Sequence, residues 1–160
     1  MIVVRPKGFY LVSGHAEGYM PLNAFDLALI NSGVGDTNLV RMSSILPPHA
    51  KKIEPVRLPG GALVPVAYAD MMSSVPGQTI ASAVAVAVPE DESLPGLIME
   101  HHGVGTAAEI EATVRKMAEE GMGYRHRAYR EILSISVEHV VVKHGATFAA
   151  VVLWDHDHEA

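Results

Sequence analysis

The sequence has no cysteine among its 160 residues. Disulfides, zinc–thiolate sites and thiol nucleophiles are therefore excluded, and any covalent chemistry must come from serine, threonine, lysine or a group made from one of them. Charged residues make up only 19% of the chain and aromatics 6%, so alanine, valine and methionine must carry the core. So few charges fit a surface partly hidden in an oligomer, and a dense monomer core would fit them equally. A basic-plus-apolar leader is missing, as is any apolar run long enough to span a bilayer. The run TIASAVAVAVP (Thr79–Pro89) is apolar but short and reads as a buried strand. These absences make a cytoplasmic protein the expectation. The 12 basic residues are outnumbered by 18 acidic ones, for a net charge of −6. That balance argues against nucleic acid or an anionic membrane as partner and suits a cationic substrate.

What is present reads as one α+β domain over residues 1–160, with largely antiparallel strands. Phe9–Gly14 is a strand. Pro21 opens a helix that runs to Asn31, with Leu22, Phe25, Leu29 and Ile30 as its apolar stripe and Gly33 as its stop. Thr37–Met42 is a strand with Leu39 and Arg41 on one face and Asn38, Val40 and Met42 on the other. Residues 47–59 form a proline-rich loop. Residues 62–73 and 79–88 are strands joined by a turn at Pro76-Gly77, and Gly96–His102 is another. Thr106 and Glu109 form a capping box, which starts a helix with the stripe Ile110, Val114, Met117 and Ala118. Gly121 and Gly123 are expected to weaken it. Two strands follow, on either side of Gly145, and a polar tail closes the chain.

The segment GDTNLVRMSSILPP, Gly35–Pro48, carries the chemistry. A serine pair, Ser43-Ser44, stands between a strand and two prolines. A serine hydroxyl beside a strained peptide carbonyl can attack its own backbone. A serine pair in a loop is otherwise a turn or a cap.

With its flanks from Pro21 onward, this segment resembles the pyruvoyl-dependent arginine decarboxylases. The resemblance continues through Leu58–Pro89, GLIMEHHG (Gly96–Gly103) and Ser134–Trp154, so it covers most of the chain. It implies a four-layer α/β/β/α sandwich built from two similar strand–helix–strand halves. It also implies self-cleavage between Ser43 and Ser44, giving chains 1–43 and 44–160. Ser44 Oγ attacks the Ser43 carbonyl, and an ester replaces the amide. Elimination and hydrolysis then leave a pyruvoyl group at position 44. That covalent group is the implied cofactor, with neither PLP nor metal. Its ketone forms a Schiff base with L-arginine and acts as the electron sink while carbon dioxide leaves, giving agmatine.

Residue roles follow from the same resemblance. Asn38 is the amide donor for the oxyanion formed during self-processing. Glu100 is the proton donor, and apolar neighbours on one side would favour its protonated form. Asp26 takes the guanidinium of the substrate through a planar fork. Leu29, Gly35, Thr37 and Ile45 flank the substrate. A homotrimer, or a multiple of one, is implied, with sites where subunits meet. On the residues alone, Asn38 is also a strand-edge amide satisfying a turn. Glu100 is also a solvent-facing strand residue, and Asp26 a solvated helix charge. The rival readings of the whole chain are a pyruvoyl decarboxylase of another basic amino acid and an oligomeric scaffold that never cleaves.

Histidines offer little more. His101 and His102 follow Glu100 on a strand, so at most one shares its side. His139 and His144 read as surface or interface residues. His156 and His158 lack a third ligand nearby. The glycines at 33, 35, 60 and 61 are not a dinucleotide fingerprint.

Overall fold

A computed structural model describes residues 4–155. The chain forms β1 (Gly8–Glu17), α1 (Pro21–Ser32), β2 (Asn38–Arg41), β3 (Ile45–Leu46), β4 (Lys51–Lys52) and β5 (Leu63–Ser73). There follow β6 (Thr79–Pro89), β7 (Gly96–Val104), α2 (Ala107–Tyr124), β8 (Tyr129–Val140) and β9 (Gly145–Trp154). A five-stranded sheet runs β2-β5-β9-β1-β4 and a four-stranded sheet β3-β7-β6-β8. Pairing is antiparallel except for β1 with β4 and β2 with β5. The sheets pack face to face, with α1 outside the first and α2 outside the second. This is the four-layer α/β/β/α sandwich. Among the described residues no helix is long and apolar enough to cross a membrane.

Three apolar clusters fill the three gaps between layers, and strand alternation divides the residues among them. In β6, Ala81, Ala83, Ala85 and Ala87 lie under α2, while Val84, Val86 and Val88 face the other sheet. In β9, Phe148, Ala150 and Val152 face α1, while Ala149, Val151 and Leu153 face inward between the sheets. In β6 alanine under α2 lets the helix approach closely, and valine between the sheets fills the wider gap. Each fully buried valine contributes roughly 1.5–3 kcal/mol. The polar residues of this interior are paired: Ser82 and Thr147 share a 2.7 Å hydrogen bond between the sheets.

The two halves interleave instead of lying side by side. β3, from the first half, joins the second sheet, and β9, from the end of the chain, sits between β5 and β1 in the first. Sequence order does not contain this exchange, because both sheets bury equally apolar strands. The expected loop over 47–59 also yields a short strand, β4, since Lys51 and Lys52 pair with Gly8 and Phe9.

Both helices depart from their expected stripes. In α1, Leu22 is 72% exposed and Ile30 52%, while Ala24, Ala28 and Ser32 are the buried positions. The helix is apolar nearly all round, so spacing could not choose its inner face; close approach chose the small residues. A Cβ on Gly14 of β1 would stand 2.2 Å from the Ala28 carbonyl oxygen. In α2 the helix continues through both glycines to Tyr124. Gly121 is buried there, and a Cβ on it would meet Leu97 at 2.3 Å. Tertiary packing thus outweighs the intrinsic cost of glycine. Met117 is only part-buried, and Met122 completes the inner face.

The corner between β8 and β9 is held by Glu17. Its Oε1 accepts hydrogen bonds from His139 Nε2 at 2.7 Å and from the Val142 N–H at 2.8 Å. Its Oε2 accepts from the N–H groups of Lys143 and His144 at 2.9 and 3.0 Å. Burial opposes ionisation of this carboxyl. The four hydrogen bonds, led by the one from the Val142 N–H, outweigh it and hold the pKa at about 2.

Two outcomes follow in denaturation experiments. Gly14→Ala should destabilise the protein by about 1–3 kcal/mol or more through overpacking against α1, whereas Gly123→Ala, with open space around it, should gain up to about 1 kcal/mol. Glu17 has a folded pKa below its ordinary 4.5, so its stabilisation is complete above that value and is lost as pH falls toward 2. Acid titration of Glu17→Gln should show lower stability at neutral pH and a flatter dependence across that window. An unchanged curve would remove Glu17 as the corner's anchor.

Candidate active site

The serine pair lies where the chain crosses from one sheet to the other. β2 runs along the edge of the first sheet, and the Met42 N–H still donates to the Val66 carbonyl there, at 2.8 Å. Two residues later the Ser44 carbonyl accepts from the Ile98 N–H of the second sheet, at 2.7 Å. Ile45 and Leu46 then pair with Leu97 and Gly96 as β3. The Ser43–Ser44 peptide is thus strung between two rigid sheets and tied on both sides. Ser43 is exposed and Ser44 part-buried, while Leu46 anchors the far side in the inter-sheet core. The two prolines after Leu46 cannot extend the ladder, which keeps β3 short.

Glu100 stands beside this crossing. On β7, Ile98 faces the inter-sheet core, and Glu100, two residues on, shares that face where the core opens. The face that alternation left open is therefore decided. The carboxylate meets a guanidinium instead of an apolar wall. Arg41 Nη2 donates to Glu100 Oε1 at 2.7 Å and to the Tyr68 carbonyl at 3.0 Å. The guanidinium carbon also lies 4.4 Å from the centre of the Tyr68 ring. The hydrogen bond to Glu100 holds Arg41 above its ordinary pKa, against the opposing effect of burial. Sequence pattern places Arg41 only on a strand face. Its signal was an arginine two residues before the serine pair in an otherwise apolar strand. His102 continues the face of Glu100, and His101 takes the opposite one.

Of the remaining candidates, Gly35, Thr37 and Asn38 lie at the other end of β2, and Asp26 and Leu29 stand on α1. Asp26 is exposed on α1, and Leu29 is part-buried against the first core. Gly35 and Thr37 line a hollow of about 180 Å³ with Ile30, Asp36, Arg57 and Leu58. A Cβ on Gly35 would stand 2.5 Å from the Ile30 side chain, so the loop presses against the end of α1. The Thr37 hydroxyl donates to the Val34 carbonyl at 2.7 Å. The Asn38 amide donates to the Gly61 carbonyl at 3.0 Å.

One chain therefore brings Ser43, Ser44, Ile45 and Glu100 together, adds Arg41, and holds Asp26, Leu29, Gly35, Thr37 and Asn38 apart from them. Three strand steps from Asn38 to Arg41 alone separate the two groups by about 10 Å. Among the described residues no cluster of three or more histidine, aspartate or glutamate side chains is arranged to hold a metal. His156 and His158 lie outside the described residues.

A serine pair held across an α/β/β/α sandwich, with a carboxylate beside it, defines a candidate self-processing enzyme. The family model for pyruvoyl-dependent arginine decarboxylase matches residues 8–158. The chain is 52% identical over 149 residues to the pyruvoyl-dependent arginine decarboxylase of Methanocaldococcus jannaschii, covering 93% of this chain and 90% of that one. It is 48% identical to the protein of the same name from Methanococcus maripaludis, over 93% and 91% of the two chains. A Pyrococcus abyssi relative, also so named, is 42% identical over 93% and 96%. The chain belongs to the pyruvoyl-dependent arginine decarboxylase family.

Proposed function

We propose that the chain is a self-processing decarboxylase that converts L-arginine to agmatine and carbon dioxide, using a pyruvoyl group made from Ser44. The observation that carries this reading is the Ser43–Ser44 peptide tied across the two sheets beside Glu100, in a chain of this family. In maturation Ser44 Oγ adds to the Ser43 carbonyl and the amide nitrogen leaves, so an ester replaces the peptide. Elimination releases Ser43 as a carboxylate, and hydrolysis of the resulting dehydroalanine releases ammonia. Only the residue after the broken bond keeps the new ketone, which assigns Ser44 as its source. The surroundings fit a group formed there: the Ser44 carbonyl is held by the Ile98 N–H, Ile45 offers an apolar neighbour, and Glu100 supplies a carboxyl. Once formed, the pyruvoyl group supplies an electrophilic ketone and the electron sink for loss of carbon dioxide.

The chain's own residues do the rest. Glu100 delivers a proton to the substrate carbon after carbon dioxide departs. Asp26 receives the guanidinium through two hydrogen bonds, and Leu29, Gly35 and Thr37 wall the substrate. Asn38 donates to the oxyanion formed on the Ser43 carbonyl during cleavage. These two groups of residues stand at opposite ends of β2, so one chain does not complete a site. A head-to-tail contact that sets one group against the other in the next copy would complete it, and repetition closes a ring. The trimer of the family resemblance is such a ring. Supporting it, α1 presents Leu22 and Ile30 outward beside Tyr19 and Met20, and the β2 edge presents Val40 with Leu63 on β5. This apolar surface is costly in water and suits burial by a neighbour.

Two results test the reading. Denaturing gels and intact-mass analysis should show a 1–43 chain and a 44–160 chain whose first residue lacks an amino group, while Ser44→Ala stays full length. A single intact wild-type chain would leave only a scaffold. In kinetics, arginine should be preferred over lysine and ornithine by about 10–150-fold, the worth of a charge-assisted hydrogen bond of roughly 1.5–3 kcal/mol. Asp26→Asn should raise KM for arginine and leave self-cleavage intact. No preference for arginine, or an unchanged KM, would defeat the guanidinium assignment and leave the cleavage chemistry standing.

A further inference from the structure

We propose that Arg41 is the positioning residue that aims Glu100, an inference that rests on the reading of Glu100 as the proton donor. A glutamate side chain has three free torsions, and Glu100 sits where the inter-sheet core has ended, with about a third of its side chain exposed. Val84, its partner on β6, and Ile98 on the same face are apolar and can pack only against its stem, so something else must fix the direction of the carboxyl. Arg41 does so, and Arg41 is itself pinned twice by one residue. Its Nη2 donates to the Tyr68 carbonyl at 3.0 Å, and its guanidinium carbon lies 4.4 Å from the centre of the Tyr68 ring. The Tyr68 ring in turn packs at 5.3 Å against Phe148, which is fully buried. A continuous line of contacts thus runs from the first core through Tyr68 and Arg41 to the carboxyl of Glu100.

The atoms chosen matter. Arg41 binds Oε1 of Glu100. A carboxyl oxygen accepts that bond whether or not the other oxygen is protonated, so the contact orients the acid and reserves Oε2 for the proton. Stability does not account for the pair. Both partners are substantially exposed, and such ion pairs contribute little. Arg41 also stands on the strand that leads into the serine pair, so one strand sets both the position of Ser44 and the direction of the acid. The other charged or titratable groups around it are Asp70 and Tyr68 on β5 and His101 and His102 on β7. None of these hydrogen-bonds to the Glu100 carboxyl, which Arg41 holds.

Precise aim has a chemical consequence. A proton delivered to the substrate carbon gives agmatine. A proton delivered to the carbon derived from Ser44 leaves the substrate's nitrogen on the protein. The keto oxygen leaves as water when the substrate amine condenses, and loss of carbon dioxide leaves the electron pair that takes up this proton. A water molecule then releases the rest of the substrate as an aldehyde, so residue 44 keeps the amino group and becomes alanine. A loosely held acid should make this error more often.

The test uses full-length enzyme carrying Arg41→Gln and Arg41→Lys, with Glu100→Gln and the double variant beside them. We expect Arg41→Gln to self-cleave fully and to keep its KM for arginine. Its kcat should fall about 10–100-fold, in line with the cost of a 1 Å misplacement. Arg41→Lys should recover part of the loss, since it keeps the charge without the planar fork and stack. The double variant should be no worse than Glu100→Gln alone, because the two act as a unit. Mass spectrometry of the 44–160 chain after turnover should show alanine at position 44 accumulating faster than in wild type. Wild-type kcat in Arg41→Gln beside an impaired Glu100→Gln would overturn the inference and leave the donor reading intact. A rise in KM alone would overturn it too, by moving Arg41 to substrate binding, and an uncleaved variant would do so by moving it to maturation. Wild-type kcat in Glu100→Gln would remove the donor reading and this inference together.

Discussion

The whole site depends on one constraint: between Met42 and Ile45 the chain must leave one sheet and enter the other. Met42 still bonds the first sheet through its N–H and Ser44 already bonds the second through its carbonyl, which leaves only the two peptide groups on either side of Ser43 to cross the gap. Each sheet is packed on both faces, by a helix on one side and the other sheet on the other, and such packing resists movement of either anchor. The serine pair is therefore a fixed point of the architecture. Pairing of β2 with β5, the short β3 and the prolines behind it all serve to stop strand structure on either side of that bond.

The four layers make such a crossing possible with small residues. Alanines in β6 and β9 let the helices sit close to their sheets, and Gly14 and Gly121 remove the last side-chain atoms where a helix meets a strand. The inter-sheet gap is filled by valines and leucines and ends near Glu100. Beyond that edge, polar groups replace apolar ones: Arg41 bridges Tyr68 and Glu100, and at the far corner Glu17 gathers three backbone N–H groups and His139. These rim groups are satisfied by named partners, as buried and half-buried polar groups must be.

Residues implied for the candidate site stand at both ends of β2, and among the described residues Leu22, Leu27 and Ile30 leave an apolar outer face on α1. Both features follow from helix placement. α1 spends its alanines and Ser32 on the sheet, with Phe25 and Leu29 packed beside them, so Leu22, Leu27 and Ile30 are left facing out. A helix with only one polar residue near its middle, Asp26, is an unusual surface for a lone chain in water.

Some of this was written in the sequence. The strands of 62–73 and 79–88, the capping box at Thr106 and Glu109, and the motif around Ser43-Ser44 were legible. Each depends on residues close together in the chain: alternation, a three-residue cap, a contiguous motif. Other features were not. The buried face of α1 was hidden because Leu22 and Ala24 are both apolar, and only the approach of Gly14 selects between them. The persistence of α2 through Gly121 depends on Leu97, distant in sequence. The exchange of β3 and β9 between the sheets, the contact of Arg41 with Glu100 and the separation of Asn38 from Ser44 depend on long-range pairing. The sequence by itself determined which chemistry the chain can carry, because a serine pair, a carboxylate and the absence of thiols are matters of residue type. Only the tertiary structure decided where that chemistry is held, because the crossing strand, the arginine that meets the acid and the distance along β2 exist only once the two sheets have packed.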